Sequence, residues 1–173
     1  MPRYVGFLRG VNVGGKRKVP MSDLRALFQS LGHSDVSTFI QSGNIIFTSR
    51  TRADPADLES ALLDRFRISI PVVLRTHQEL EGVLGRNPFG KVDASKLHVG
   101  FMAGKPPAVA VAGIDATPFH PEQLAIRDKE VYFHLPNGMG RSKLPAYLDR
   151  RLKTPITIRT WNTVTKLCEL SAG

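Results

Sequence analysis

Two short segments occur twice in the chain, in the same order, and they constrain the fold more than any other feature. Residues 5–7 (VGF) return as residues 99–101, and residues 71–76 (PVVLRT) match residues 155–160 (PITIRT). The same order of predicted elements lies between the members of each pair. The chain is therefore interpreted as one structural unit written twice.

The spacing of apolar residues predicts the same elements in both halves. In the first half, it predicts strands over 4–8, 36–41, 44–49 and 72–75, and helices over 21–31, from 55 after an Asp54 cap, and after the capping box Thr76-His77-Gln78-Glu79. In the second half, it predicts strands over 97–102, 123–127, 131–135 and 156–159, and helices over 106–114, 144–152 and 163–170. Ser142 and Asn162 are the caps expected for the last two helices. Residues 42–43 are predicted as a two-residue hairpin turn.

The order β-α-β-β-α-β followed by a helix is typical of ferredoxin-like folds. We therefore predict an α+β protein, a tandem duplication of two ferredoxin-like halves with antiparallel sheets. The expected domains are residues 1–90 and residues 91–173.

The chain of 173 residues carries a formal net charge of +9, concentrated in two regions. Residues 1–20 hold five Lys or Arg and no acid, and residues 136–166 hold seven with one acid, Asp149. Such regions favour an anionic partner, whether nucleic acid, a phosphorylated small molecule or a membrane surface. The alternative is that the cations only solvate two faces.

The remaining composition indicates an ordinary cytoplasmic protein. A single cysteine, Cys168, excludes an internal disulfide. The amino terminus lacks the long apolar region of a signal peptide. No apolar run approaches the ~18 residues of a membrane span, so no membrane partner is expected. The oligomeric state is left open.

The two copies differ most after their first strand. Gly104 and Pro106 are two positions apart in the second copy, whereas Gly10 and Pro20 are ten positions apart in the first. The added segment, residues 11–18 (VNVGGKRK), consists largely of glycine, amide and cation. Glycines let backbone N–H groups approach a ligand and form an anion-holding concavity. The alternative is a plain solvated loop.

The predicted topology places other polar loops near shared sheet ends. The hairpin at residues 41–44 should project beside the inserted loop, while residues 136–143 and 159–162 should share one end of the second sheet. We predict that these clusters meet in one anion-binding cleft between the halves. The predicted ligand-binding residues are Arg9, Asn12, Gly14, Gly15, Lys16, Gln41, Ser42, Asn44, Arg141, Ser142, Lys143 and Trp161. The ring of Trp161 would provide a stacking face, or would instead lie in the core.

These polar segments contain no Asp, Glu, His or Cys, the residues that acid–base catalysis and metal binding use. We therefore expect no metal and no cofactor. The favoured function is binding of a phosphate-bearing or nucleic-acid ligand. The alternatives are a transferase or hydrolase acting on a phosphorylated small molecule, and an assembly protein without a ligand.

Two familiar phosphate and RNA patterns fit poorly. Residues 10–16 match G-x-x-x-x-G-K, but Arg17 replaces the Ser or Thr that binds magnesium, and the predicted sheet is antiparallel. The third strand, residues 44–48 (NIIFT), lacks the aromatic pattern of sheet-face RNA readers. Electrostatic binding by the loops remains compatible with the sequence.

Six motifs resemble one bacterial family, the domain of unknown function numbered 1697. They are residues 8–15 (LRGVNVGG), 18–21 (KVPM), 39–44 (FIQSGN), 87–89 (NPF), 140–144 (GRSKL) and 161–167 (WNTVTKL). The family usually has tyrosine in place of Phe39 and asparagine in place of Thr160, and the second departure removes an amide from the predicted site. The resemblance implies a compact bacterial α+β protein and no established activity.

Overall fold

The computed structural model describes all 173 residues and has an α+β fold with two four-stranded antiparallel sheets. The first sheet has the order β2-β3-β1-β4 and the second the order β6-β7-β5-β8. This is the ferredoxin-like arrangement twice over, so the predicted fold class is confirmed. None of the six α helices is long and apolar enough to cross a membrane.

The elements of the two copies follow the same order. The first copy contains β1 (Arg3–Leu8), α1 (Met21–Ser30), β2 (Ser34–Thr38), β3 (Asn44–Thr48), α2 (Pro55–Phe66), β4 (Val72–Thr76) and α3 (His77–Gly85). The second contains β5 (Leu97–Phe101), α4 (Ala108–Ala112), β6 (Gln123–Arg127), β7 (Glu130–His134), α5 (Leu144–Leu152), β8 (Thr157–Thr160) and α6 (Trp161–Ser171). Short 3₁₀ helices cover Ala94–Lys96, Thr117–Phe119 and Met139–Arg141.

The repeated segments occupy equivalent strand positions. β1 lies between β3 and β4, as β5 lies between β7 and β8, while β4 and β8 are edge strands. The shared glycine of the repeat permits close packing. A Cβ on Gly100 would lie 2.5 Å from Ile156 Cγ2, and one on Gly6 would lie 3.0 Å from Ile45 Cγ2.

Each copy has its own core on the helical face of its sheet. In the first, Phe28 of α1 meets Phe47 of β3 edge to face, with ring centroids 5.1 Å apart, and Leu62 of α2 is also fully buried. In the second, Phe133 of β7 packs in one cluster with Leu148 of α5. Burial of this apolar surface is the main stabilising contribution to both copies.

Local capping signals set two helix starts as predicted. The Asp54 side chain accepts a hydrogen bond from Ala56 N at 2.9 Å at the start of α2. At α3 the capping box is complete, because Thr76 N donates to Glu79 Oε2 and Glu79 N donates to Thr76 Oγ1. These bonds satisfy backbone donors that the first helical turn leaves without partners.

Several predicted boundaries are wrong, among them 36–41 for β2 and 106–114 for α4, which the structure has at Ser34–Thr38 and Ala108–Ala112. The connection between β2 and β3 spans residues 39–43 rather than 42–43; the chain turns over residues 41–43, and Gly43 O accepts a hydrogen bond from Leu8 N of β1. The last helix begins at Trp161, and Thr160 is its cap, not Asn162. Thr160 Oγ1 accepts a bond from Thr163 N at 3.2 Å, as Thr76 does in the first copy.

Contacts group the chain into two compact units. One contains Met1–Glu81 together with Lys166–Gly173, and the other contains Gly82–Thr165. The predicted division at residue 90 assigns all of α3 to the first domain and all of α6 to the second. The contacts instead divide each of these two helices between the units. The predicted domains, residues 1–90 and 91–173, stay a prediction.

Candidate functional site

Three loops of the first unit emerge at the end of the sheet where β1 finishes. Phe7 pairs with Asn44 at the start of β3, and Leu8 pairs with Val72 at the start of β4. The loops are residues 9–20, which we call the glycine loop, the β2–β3 connection at residues 39–43, and the segment that precedes β4. The sequence reasoning identified the first two loops and missed the third.

The glycine loop folds as a small hairpin. Val13 and Lys16 form an isolated bridge, with Lys16 N donating to Val13 O at 3.0 Å. Gly14 and Gly15, at φ +57° and +73°, occupy the two central turn positions. Positive φ at both positions is the signature of a type I′ turn, which favours glycine. The turn leaves Lys16 exposed on the surface of the unit.

The Asn12 side chain holds this hairpin in place. Its Nδ2 donates to Val19 O at 2.9 Å and to Gln41 O at 2.7 Å, and its Oδ1 accepts from Val19 N at 2.8 Å. The amide thus joins both ends of the loop to the β2–β3 connection. Because both of its N–H groups donate within the protein, Asn12 sets the shape of the loop.

Arg17 is a basic residue of this loop that is not among the predicted ligand-binding residues. Its Nε donates to Gly10 O at 2.7 Å, and its Nη2 donates to Ser69 O at 2.8 Å. These bonds fix the guanidinium against the segment before β4. Ser69 lies 52 residues further along the chain, so the sequence gives no sign of this contact. The one sequence signal for Arg17 is its place among the consecutive cations of the inserted segment.

A basic hollow opens beside the loop, with a volume of about 580 Å³. Three of its lining residues are cationic and none is acidic. The lining residues are Arg9, Gly10, Val13, Lys16, Arg17, Ser69 and Pro71. The structure therefore brings the predicted residues Arg9 and Lys16 together and adds Arg17 to them.

The remaining predicted residues of the first unit lie in the β2–β3 connection. Asn44 is completely buried, and its Nδ2 donates to Phe39 O and to Ser42 Oγ, each at 3.0 Å. Gln41 is exposed and offers its carbonyl to Asn12. Ser42 and Asn44 thus bond within the connection. None of these three lines the basic hollow.

The predicted residues of the second unit also gather at one end of their sheet. β7 ends next to Leu97 and β8 ends next to His98, so residues 135–143 and Trp161 follow neighbouring strand ends. Ser142 Oγ accepts from Leu144 N at 3.2 Å just before α5, but the N-cap position is Lys143, one residue later than predicted. Arg141 and Lys143 are exposed, and Trp161 is half-buried as the first residue of α6. That these residues share one cleft with the glycine loop stays a prediction.

The sequence pattern predicts no histidine at this end of the second sheet. The pairing of β5 with β7 and β8 nevertheless places His98 there. His98 pairs with Phe133 on one side and Thr160 on the other, and it is buried with no hydrogen-bond partner for Nδ1. Burial lowers the pKa of His98, and a backbone hydrogen bond with Lys96 offsets part of that effect. The imidazole is therefore neutral at physiological pH.

The single cysteine lies beside a histidine, yet the geometry indicates a structural role. Cys168 Sγ is 3.9 Å from His77 Nδ1, while that nitrogen lies 3.0 Å from both Cys168 O and Ser171 Oγ. Burial, with smaller contributions from Glu81 and Glu169, raises the pKa of the thiol. A buried neutral thiol is a poor nucleophile, so these bonds serve to attach α6 to α3.

No group of three or more His, Cys, Asp or Glu is placed to hold a metal ion. The expectation that the protein uses neither a metal nor a cofactor stays a prediction. The loops that converge at the two sheet ends supply amides, hydroxyls and cations, which suit the binding of anions.

The fold and loops define a duplicated ferredoxin-like protein with a basic glycine loop in one copy only. The chain belongs to the family described as "Protein of unknown function (DUF1697)", whose model matches residues 1–132. It is also similar to a solved structure of a conserved bacterial protein from Streptococcus pneumoniae. The two share 26% sequence identity with a TM-score of 0.67, over 98% of each chain. No curated protein matches the sequence.

Proposed function

We propose that this protein binds an anionic ligand, phosphate-bearing or nucleic acid, at the basic hollow of the glycine loop. The observation that carries the proposal is the lining of that hollow, where Arg9, Lys16 and Arg17 meet without any acidic residue. A phosphate placed there gains charge-assisted hydrogen bonds from these side chains. The apolar side chain of Val13, which is 63% exposed, offers a contact for a sugar or base.

The fixed position of Arg17 favours recognition rather than chance attraction. Its guanidinium is already held by Gly10 O and Ser69 O, so little side-chain entropy is lost when a ligand binds. Planar guanidinium groups match the geometry of phosphate oxygens. Lys16 adds an exposed charge from the turn beside it. This combination of one fixed and one exposed cation suits a phosphate group.

The second unit carries its own basic loop, with Arg141 and Lys143 on either side of Ser142. We propose that this loop also contacts phosphate groups. A long nucleic acid has phosphates for both loops, whereas a small phosphate ligand needs only one. The number of phosphates neutralised therefore separates the two ligand classes.

The test compares two matched lysines. Lys16 lies in the inserted loop, and Lys105 lies in the short counterpart loop of the second copy, where it is exposed. Binding of fluorescent single-stranded oligonucleotides is measured by anisotropy, and binding of pyrophosphate by calorimetry. Losing one charge-assisted contact costs about 1.5–3 kcal/mol, so Lys16→Ala and Arg17→Ala should each weaken binding about tenfold to a hundredfold. Lys105→Ala should leave it unchanged.

The salt dependence then identifies the ligand class. For a single strand, the logarithm of the binding constant falls with the logarithm of salt concentration with a slope of about −0.7 per phosphate contacted. A steep slope with the oligonucleotide indicates nucleic acid, and a shallow slope with strong pyrophosphate binding indicates a small ligand. Equal losses in Lys16→Ala and Lys105→Ala, or no binding of either probe, would refute the proposal.

A further inference from the structure

The first unit contains a second hollow, at the opposite end of its sheet from the glycine loop. It has a volume of about 290 Å³ and lies where β3 ends and α2 begins. We call it the Ser49 hollow. Its lining residues are Leu31, His33, Ser49, Thr51, Arg52, Ala53, Asp54, Asp57 and Leu58. The five-residue strand β3 separates the two ends of the sheet, a length of roughly 17 Å.

Ser49 is the residue that distinguishes this hollow from an ordinary surface depression. It is only 3% exposed, its backbone N–H donates to Pro2 O at 3.0 Å, and it lines the hollow. The structure records no hydrogen bond for its hydroxyl. Its Oγ is not among the side-chain atoms that are buried without a partner, so the hydroxyl is accessible from the hollow and can bond to a ligand there.

His33 supplies a second acceptor in the wall. Its ring stacks at a tilt on Phe47, with centroids 4.6 Å apart, and lies 5.9 Å from Phe28. Burial lowers the pKa of His33, so the ring is neutral at physiological pH and one nitrogen can accept a hydrogen bond. Asp57, in the first turn of α2, adds a carboxylate.

The remaining lining provides an apolar wall and one cation. Leu58 is buried, while Leu31 and Ala53 present apolar surface beside it. Arg52 is exposed and makes no ion pair with either lining aspartate. Asp54 is partly engaged, because one oxygen caps α2 through Ala56 N. The hollow thus combines three acceptors, an aliphatic surface and a guanidinium.

We propose that the Ser49 hollow binds a small α-amino acid with a short aliphatic side chain. An ammonium group has three N–H donors, and Asp57, Ser49 and His33 offer three acceptors. The aliphatic side chain packs on Leu31 and Leu58, and the carboxylate pairs with Arg52. The arrangement of charges carries the assignment: Asp57 offers a carboxylate to the ammonium group and Arg52 offers a guanidinium to the carboxylate, so a zwitterion has a partner for each of its charges.

The experiment uses the full chain and three related ligands. L-Leucine is compared with 3-methylbutylamine, which lacks the carboxylate, and with 4-methylpentanoate, which lacks the amine. Amide resonances of Thr51, Ala53 and Asp57 are followed by ¹H–¹⁵N NMR titration. We expect leucine to shift these resonances, the amine to bind about tenfold more weakly, and the acid not to bind.

Matched variants separate recognition from folding. Asp57→Asn and Ser49→Ala should weaken leucine binding about tenfold or more, whereas Asp64→Asn, an exposed aspartate further along α2, should leave it unchanged. Arg52→Gln should reduce binding of leucine but not of the amine, and Arg50→Gln, outside the lining, should affect neither. The spectrum and Tm of each variant establish that it is folded.

The proposal is overturned if leucine leaves these resonances unmoved up to its solubility limit, or if the acid binds as well as leucine. It is also overturned if Asp57→Asn and Asp64→Asn behave alike. The probes differ from those of the basic hollow, so either proposal can fail while the other stands.

Discussion

Replacing Gly43 by alanine tests how the β2–β3 connection is held against β1. Gly43 has φ +89°, and a Cβ built there would lie 2.7 Å from Val11 Cγ2 and 2.9 Å from Leu8 Cβ. Both neighbours are buried. Gly43 O also accepts a hydrogen bond from Leu8 N at 2.8 Å. Alanine at this position therefore faces both a strained backbone and a steric clash with the core.

Gly32 provides a matched control, because its φ is +90° and no atom lies within 4 Å of the Cβ that an alanine would add there. The left-handed conformation costs an alanine about 1–2 kcal/mol at either site. Overpacking adds about 1–3 kcal/mol at Gly43 alone. The effect of alanine on the unfolded chain is the same in both variants, so it cancels when the two are compared.

The expected outcome is that Gly43→Ala lowers the free energy of unfolding by about 1–3 kcal/mol more than Gly32→Ala does. For a chain of this length, 1 kcal/mol corresponds to a change in Tm of about 2–4 °C. Thermal unfolding followed by circular dichroism, with urea titration as a second measure, checks this difference. Equal destabilisation of the two variants would refute the close approach of Gly43 to Leu8 and Val11.

Three further predictions follow from hydrogen bonds and burial. Asn12→Gly, which keeps the positive φ of +56° accessible but removes the side chain, should cost about 1–3 kcal/mol and speed amide exchange at Val19; unchanged exchange would contradict the role of Asn12. Because the pKa of His98 is lowered below its ordinary 6.5, stability should fall as pH drops below that value. The Tm of His98→Phe should therefore fall less on acidification than that of the wild type. It should still fall to some extent, because burial also lowers the pKa of His33. Cys168, at 7% exposure with a raised pKa, should react slowly with a disulfide reagent until urea unfolds the chain; rapid labelling of the native protein would show that the thiol is accessible.

The fold could be predicted because its signals are local and occur twice. Asp54 before Pro55 and the Thr76–Glu79 box specify helix starts through side chains within three residues of their targets. The order of elements between the repeated strands then leaves few topologies. Where the prediction failed, a local signal competed with a distant contact. Ser42-Gly43 has the composition of a two-residue turn, whereas the connection in the structure covers residues 39–43 and Gly43 O accepts a hydrogen bond from Leu8 N.

The sequence indicates where the candidate site lies better than it indicates what each residue of the site does. The insertion of glycines and cations marks the loop, and Lys16 of that loop lines the hollow. The amides were expected to face a ligand, yet those of Asn12 and Asn44 bond within the protein. Arg17 depends on Ser69 O, a partner 52 residues away, and no pattern in the sequence links them.

The two copies differ mainly in their loops, which is where binding is proposed. Both copies keep the same strand order, so the sheets act as a scaffold and the departures lie in their loops. After the first strand, one copy has the glycine loop and the other has only the short turn around Lys105. After the third strand, one copy has the link that lines the Ser49 hollow, and the other has the longer basic segment that ends at Lys143. Paired variants at equivalent positions of the two copies therefore separate binding from stability, since a scaffold contact should matter in both copies and a binding contact in one.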